Sequence, residues 1–592
     1  MIFLICLSLF AKFSFAQEIV NGGFETVNSK MSPRNWTVDN KEDKYTVRVD
    51  STIKHSGRYA VKVDGTSLHD TENAFVYNSY GATSATKIHT INISGWISVA
   101  NAADSAAALI IQDLKGAKMI RTYLLKTGGS ANEWQKLDVN FTTNPADPWY
   151  GFYYGFEITS KTIAWLDDVA VKVDGKLIQD PLSMSFEPGK ENIAWLNAHI
   201  SPLKSTVIIP SHTDLEPIGK LCNNAKVVGI GEPTHGTKEA FQFKLRLLEY
   251  LVTQKGFNTI ALEEVIPTCD KMNAILNNDA ATIKDSLLTL PFYKCWKTAE
   301  IDTMLMWVSN YNKVHKKKVK FIGMDMEDIK CQSSRKLLRA YGKRYNAAVY
   351  KQTLVLDAHI DSLLASSIKD GQEAKTLKLA DSVKSILTGM HHLIGSAGIR
   401  DKEQLFKLET YERVCRQWLK SRFYNGERDE YMAANVDFYI KNHPDDKVMV
   451  WAHDFHIANA RTNGAKQMGA YLKDSMGNDY VAIGFTSAGG SYTASEDYTQ
   501  KKWQTYLLET AYKGTYAYVL SKANNSFYFL NLKDDECRQK AAFWLNIPMK
   551  HLDVPYIQSG ADNYQFYGNL SSVFDGIVFC KTTSASKNYL MN

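Results

Sequence analysis

The sequence contains no Cys-x-x-Cys pair, no Gly-x-Ser-x-Gly turn and, beyond its first residues, no apolar run long enough to cross a bilayer. The first absence removes zinc ribbons and thioredoxin-like redox sites. Apart from Cys6, the cysteines are Cys222, Cys269, Cys295, Cys331, Cys415, Cys537 and Cys580. They are scattered and odd in number, so no disulfide framework is expected. A single bridge such as Cys269 to Cys295 is compatible with an oxidising compartment but does not follow from the spacing. The second absence removes the strand-to-helix elbow that exposes a serine nucleophile. The third removes a transmembrane anchor, which needs about 18 apolar residues. A strong charge of one sign is lacking too: the formal charge is +6, with 22% charged residues. The basic run His315-Lys316-Lys317-Lys318 joins a helix-like to a strand-like segment and reads as a solvated connection. No nucleic-acid partner is therefore expected.

What is present begins with Met1 to Ala16, an apolar stretch whose only charge is Lys12 and which ends Phe13-Ser14-Phe15-Ala16. It reads as a cleaved export signal, and Cys6 lies inside the apolar run rather than at a lipoprotein cleavage site. The expected location is periplasmic or extracellular. At 592 residues and 45% hydrophobic content, the chain exceeds one ordinary core and predicts two or three domains.

From about 17 to 180 the pattern is short alternating runs, such as Tyr45-Thr46-Val47-Arg48-Val49, among Gly, Asn and Asp. This predicts an all-β sandwich. Asn21-Gly22-Gly23-Phe24-Glu25, Pro33-Arg34-Asn35-Trp36, His55-Ser56-Gly57-Arg58-Tyr59 and Trp165-Leu166-Asp167-Asp168-Val169 resemble the landmarks of jelly-roll carbohydrate-binding-like modules. The resemblance implies a glycan as the ligand of such a module, or a merely structural role. Trp149, Tyr150, Tyr153 and Tyr154 fit sugar stacking and core packing equally.

After a linker near Asp180 to Lys190 the pattern changes, and 190–592 alternates strands with helices: Val227–Ile230, Thr259–Glu263, Val319–Met324, Lys447–Ala452 and Tyr480–Phe485 are the candidate strands. Such alternation predicts an α/β domain with a largely parallel sheet. About 332–442 reads as a helical insertion, with Leu354, Leu356, Ile360, Leu363 and Leu364 spaced for one face. Tyr516–Leu520, Phe527–Leu532 and Val573–Cys580 read as strands extending the sheet edge, the first two joined through Asn524-Asn525. Because each part has its own hydrophobic pattern, the two are expected to be separable.

The strand ends carry the chemistry. Gly231-Glu232-Pro233-Thr234-His235-Gly236 follows the first strand; Glu263 and Glu264 end the second; Asp325 and Glu327 follow the third; His453, Asp454 and His456 follow the fourth. In a parallel sheet these converge on one rim. A histidine beside a carboxylate there suits general-base activation of water. Glu232 with His235, His453 with His456, and Glu263 also form a donor set for a divalent metal. A non-catalytic, sugar-binding surface protein is a third reading.

These motifs, with Trp296-Lys297-Thr298-Ala299-Glu300, Trp307, Asn310-Tyr311-Asn312, Arg428-Asp429 and Met432-Ala433, resemble the ordered motifs of the erythromycin esterase family from about 190 to 585. The resemblance implies hydrolysis of a carboxylic ester or lactone, macrolide-like or other, without a cofactor or obligate metal. His235 would be the base, Glu232 and Glu263 essential carboxylates, and His453, His456 and Arg428 the rest of the catalytic set. Lys244, Arg246, Asp325 and Trp296 are candidate substrate-binding residues, with a core, surface or capping role as the alternative. Lys244 in place of a usual Arg, Asp454 in place of a usual Asn, and the added sandwich bear on the substrate more than on the reaction.

Overall fold

The structure, a computed structural model, describes residues 20–591 except 29–30, 39–43, 70–71, 83–88, 101–106, 116–117, 127–131, 143–149, 160, 179–185, 277–279, 292, 368–371, 425, 461, 463–465, 498 and 559–562. The export-signal segment, Trp149 and most of the linker lie outside the described residues.

The alternating runs of the N-terminal part form two antiparallel sheets. One runs Thr37–Val38, Asn73–Ala82, Tyr150–Thr159, Ala107–Lys115, Lys118–Lys126; the other runs Thr46–Asp50, Ala60–Asp64, Ile163–Val173, Thr90–Val99, Gln135–Thr142. Alternate residues of both, among them Val61, Val63, Ile91, Ile93, Leu109, Ile111, Phe156 and Leu166, bury a common core. Tyr154 belongs to that core and Tyr153 is half-buried, stacked edgewise on Tyr77 at 5.3 Å.

The second part is organised by an eight-stranded sheet in the order Ile200–Pro202, Phe527–Asn531, Gly576–Cys580, Tyr480–Ser487, Val227–Ile230, Val448–Trp451, Thr259–Val265, Lys320–Asp325. The first two pairings are antiparallel and the remaining five parallel. Val227–Ile230 and Val448–Trp451 are buried throughout, as strands covered on both faces by helices must be. After Val227–Ile230 the chain passes to Thr259–Val265 and later returns to fill the gap with Val448–Trp451. The carboxyl ends at this reversal are the position at which open α/β sheets bind their ligands.

Helices Gln332–Tyr345, Ala347–Ser367, Glu373–Gly395 and Lys402–Phe423 share a core of Leu338, Val349, Leu356, Ile360, Leu363, Leu387 and Trp418. Leu354 does not join that face: two residues from Leu356 it is turned by about 200° and stands exposed. Arg428–Asn442 packs instead through Met432, Val436 and Tyr439 into the sheet's core.

Two local expectations are corrected. Tyr516–Leu520 is a helix, because Thr515 caps it by accepting from Tyr518 N and the Tyr516 hydroxyl is drawn inward to Ile547 O (2.6 Å) and Gly568 O (2.9 Å). Val573 ends a short helix, Leu570–Val573, so the last strand is Gly576–Cys580; it pairs antiparallel with Phe527–Asn531, and Ile200–Pro202 supplies the edge beyond. The seven cysteines among the described residues are free and buried, Cys269 and Cys295 included. Among the described residues no helix is long and apolar enough to cross a membrane.

Candidate active site

The turn after Val227–Ile230 has no room for side chains at its glycines. A Cβ on Gly231 would lie 1.7 Å from Asp454 Oδ1, and one on Gly236 1.8 Å from Thr493 O. Val554 N donates to Pro233 O (2.8 Å) and Gly236 N to Thr234 Oγ1 (2.9 Å), fixing the intervening residues. Glu232 is thereby buried completely, accepting from His235 Nδ1 at 2.9 Å and from Lys244 Nζ at 2.5 Å. Lys244, also fully buried, donates to Ala452 O at 3.0 Å; burial lowers its pKa and Glu232 opposes that shift. A carboxylate facing Nδ1 assigns the ring proton there, which leaves the Nε2 lone pair as the basic position. The His235 side chain keeps 11% exposure, and its ring lies 5.0 Å from His453, 5.3 Å from Trp296 and 6.5 Å from Tyr556 between centroids.

Next to it stands a denser charge cluster. Arg428, the first residue of its helix, reaches Asp325 Oδ2 through Nη2 (2.6 Å) and Nε (3.0 Å), and Glu263 Oε1 through Nη2 (3.1 Å). His456 Nε2 shares that Glu263 oxygen at 3.2 Å, while its Nδ1 faces Asp429 Oδ1 at 2.7 Å. Burial works against a charged His456, but Asp429 and Glu263 outweigh it and raise its pKa to about 10. The same pairing holds Glu263 well below the usual carboxylate range despite its burial. The 3.1 Å approach of Arg428 Nη1 to His456 Nε2 is then a contact of two cations around one carboxylate.

His453 bridges the two groups. Its backbone N donates to Glu263 Oε2 (3.1 Å), and its Nδ1 accepts from Phe455 N (3.3 Å), capping the helix Asp454–Ile457. The proton is therefore on Nε2, which is buried with no hydrogen-bond partner among the described residues; Asp553 Oδ1 is 3.6 Å away. Burial chiefly lowers the His453 pKa, so the ring stays neutral and remains an N–H donor. Trp296 donates Nε1–H to Glu263 O at 3.2 Å. Glu264 accepts from Val265 N and Tyr293 N, and burial pushes its carboxyl up to about 8.

Glu232, His235, Lys244, Glu263, Trp296, Asp325, Arg428, His453 and His456 thus form one connected set of contacts. Arg246 is outside it, a correction to its candidate role. Two positions after Lys244 on the helix Lys238–Lys255, it points away and is fully buried against Asp214 (2.7 and 2.9 Å), Ser205 O and Ser211 O. Asp454 also turns away, toward His551 Nε2 (2.8 Å) and Phe485 N (3.1 Å). The sequence reading did not single out Asp429, Tyr293, His551, Asp553 or Tyr556 as site residues; of these only Asp429 lay inside a recognised motif. Among the described residues no three of His, Cys, Asp and Glu are placed to hold a metal ion. The donors proposed for one are turned onto each other, with both His456 nitrogens on carboxylates.

Comparison with known proteins places the chain among hydrolases of ester type. The protein-family model described as erythromycin esterase matches residues 252–583, more than half of the chain, beginning just after the Glu232–His235 turn. The chain is 23% identical over 430 residues to erythromycin esterase type II of Escherichia coli, covering 66% of this chain and 98% of that protein. A crystal structure of a succinoglycan biosynthesis protein is similar at 25% identity and a TM-score of 0.57, covering 67% of this chain and 98% of that one. The strand-rich N-terminal part has carbohydrate-binding modules among its structural neighbours, such as the CBM22-1 xylan-binding domain of Paenibacillus barcinonensis Xyn10C, at 15% identity and a TM-score of 0.20, covering 27% of this chain and 92% of that one. With the family model matching more than half of the chain, the chain belongs to the erythromycin esterase family.

Proposed function

We propose that this protein is an exported hydrolase of a carboxylic ester or lactone, with residues 17–180 as a sandwich module and 190–592 as the catalytic part. Membership in the erythromycin esterase family supports an ester-type hydrolase acting on a small molecule. The observation that carries the mechanism is the His235 ring, tied by Nδ1 to buried Glu232 and lying beside His453 and Trp296. In the reaction, Nε2 takes a proton from water as the water oxygen bonds to the acyl carbon. Glu232 stabilises the imidazolium through one oxygen, while Lys244 donates to the other. The oxyanion of the tetrahedral intermediate accepts from His453 Nε2–H, which makes no hydrogen bond among the described residues and whose neighbouring carboxylate, Asp553, stands 3.6 Å away. Collapse breaks the bond to the alkoxide, which takes the proton from His235, and releases carboxylic acid and alcohol. Glu263 fixes the His453 backbone with one oxygen while Arg428 and His456 hold the other, so Arg428 acts by positioning. A hydrolysis screen over macrolides and acylated sugars, run on the parent and on His235→Gln, tests this reading. Turnover of at least one ester by the parent alone supports it; equal turnover by a folded His235→Gln protein overturns it.

A further inference from the structure

Two adjacent residues of the N-terminal sandwich, Arg34 and Asn35, contact the second part. Arg34 is buried, with 5% of its side chain exposed. Its Nε donates to Val27 O (2.8 Å) in its own sandwich, and its Nη1 pairs with Glu509 Oε2 at 2.7 Å. Its guanidinium carbon lies 3.4 Å from the Tyr512 ring centroid. Asn35 takes the left-handed conformation (φ 66°), which asparagine tolerates, and its Oδ1 accepts from buried Lys550 Nζ at 2.5 Å.

What these residues grip leads directly to the candidate site. Lys550 lies on the strand Met549–Leu552, where neighbouring side chains point to opposite faces. Lys550 faces the sandwich, and His551 faces inward to Asp454 at 2.8 Å. Asp553 follows, 3.6 Å from His453 Nε2; then Val554, donating to Pro233 O in the Glu232–His235 turn; then Tyr556, beside the His235 ring. The other two residues that Arg34 touches brace the partner strand Tyr564–Gly568 and the residue before it. Tyr512 packs edgewise on Tyr564 at 5.3 Å, Glu509 O accepts from Tyr564 Oη, and Asn563 O accepts from Asp553 N at 2.9 Å. Residues 549–556 therefore join the sandwich to both candidate catalytic histidines.

We infer that the sandwich is a positioning element of the hydrolytic site, with Arg34 and Asn35 as positioning residues that clamp 549–556 against His453 and the Glu232–His235 turn. The inference rests on the proposed hydrolytic reading for its effect on rate, and on geometry alone for its effect on the segment. The test uses the full chain with Arg34→Ala, Arg34→Lys and Glu509→Ala. Amide hydrogen exchange is followed at 549–556 and 231–236, and the kinetics are measured on the best ester of the screen. Both alanine variants are expected to exchange roughly tenfold faster at those amides and to lose roughly tenfold in kcat with little change in KM. Arg34→Lys, which keeps the charge, recovers part of both, and the double alanine variant loses no more than either single one. Should Arg34→Ala unfold the sandwich, Glu509→Ala, which lies outside it, decides the matter. Parent-like exchange at 549–556 in folded Glu509→Ala overturns the clamp. A parent inactive on every ester overturns the proposed function and leaves the exchange result to stand by itself.

Discussion

His453 and His456 are three residues apart, both largely shielded from solvent and both in contact with Glu263, yet their charges differ. His456 has a carboxylate at each nitrogen and is held protonated; His453 meets Glu263 only through its backbone, spends Nδ1 on a helix cap and is kept neutral by burial. Burial alone therefore does not set the state of a histidine at this rim. The number and closeness of the carboxylates at its ring do, two within 3.2 Å for His456 against Asp553 at 3.6 Å for His453, and one serves as an ion-pair member while the other serves as a neutral donor.

The comparison extends to His235, which has one carboxylate and one free nitrogen, and it breaks first there. His235→Gln is expected to lower kcat/KM by about 100-fold to 10,000-fold with the melting temperature nearly unchanged, as steady-state kinetics and thermal melts will show. His453→Asn comes next. Asparagine can still accept from Phe455 N and cap the helix, but it removes the Nε2 donor, so kcat should fall by about 100-fold to 1,000-fold without loss of stability. His456→Gln should act on the fold instead: Glu263 keeps Arg428, but half-buried Asp429 loses its cation and both carboxylates lose a charged donor, a loss of about 1–3 kcal/mol in denaturant unfolding.

A smaller effect follows from pH. Because the folded pKa of His456 is raised from its ordinary 6.5 to about 10, its contribution to stability is complete below about 6.5 and is lost as pH rises through about 10. Unfolding midpoints measured across that window should decline in the parent and flatten in His456→Gln. A parent curve as flat as the variant's would show that the pair does not carry the charge assigned to it. The smallest expected effect is none at all: dialysis against a chelator should leave hydrolysis unchanged, since both His456 nitrogens face carboxylates and no three of His, Cys, Asp and Glu among the described residues converge on one point. Loss of rate restored by a divalent ion would transfer the role of His235 to metal-bound water.

The sequence made one side of this site readable and left the other hidden, for a physical reason. Glu232, Glu263, Asp325 and His453 each follow a run of apolar residues buried on both faces, and a parallel sheet puts the ends of such runs together. His551, Asp553 and Tyr556 come from a short hairpin whose strand, Met549-Lys550-His551-Leu552, interleaves a lysine and a histidine that are both buried by tertiary contacts. Nothing in their spacing indicates burial. The error over Arg246 was avoidable, since a two-residue step from Lys244 on a helix reaches the opposite side. That over Tyr516–Leu520 was harder to avoid: aromatic and β-branched composition favours a strand, and the cap at Thr515 with the inward Tyr516 hydroxyl decides otherwise.

The glycines at 231 and 236 leave no space for even a methyl group: the first is pressed against the Asp454 carboxylate and the second against the Thr493 backbone. Randomising the six positions of that turn and selecting for a folded, active protein should therefore return glycine at both ends whatever ester is used for selection. Those two letters record sterics rather than substrate. Only the positions between them can carry information about the chemistry, and a search for distant proteins sharing this mechanism gains nothing from matching the glycines unless the glutamate and histidine lie between them.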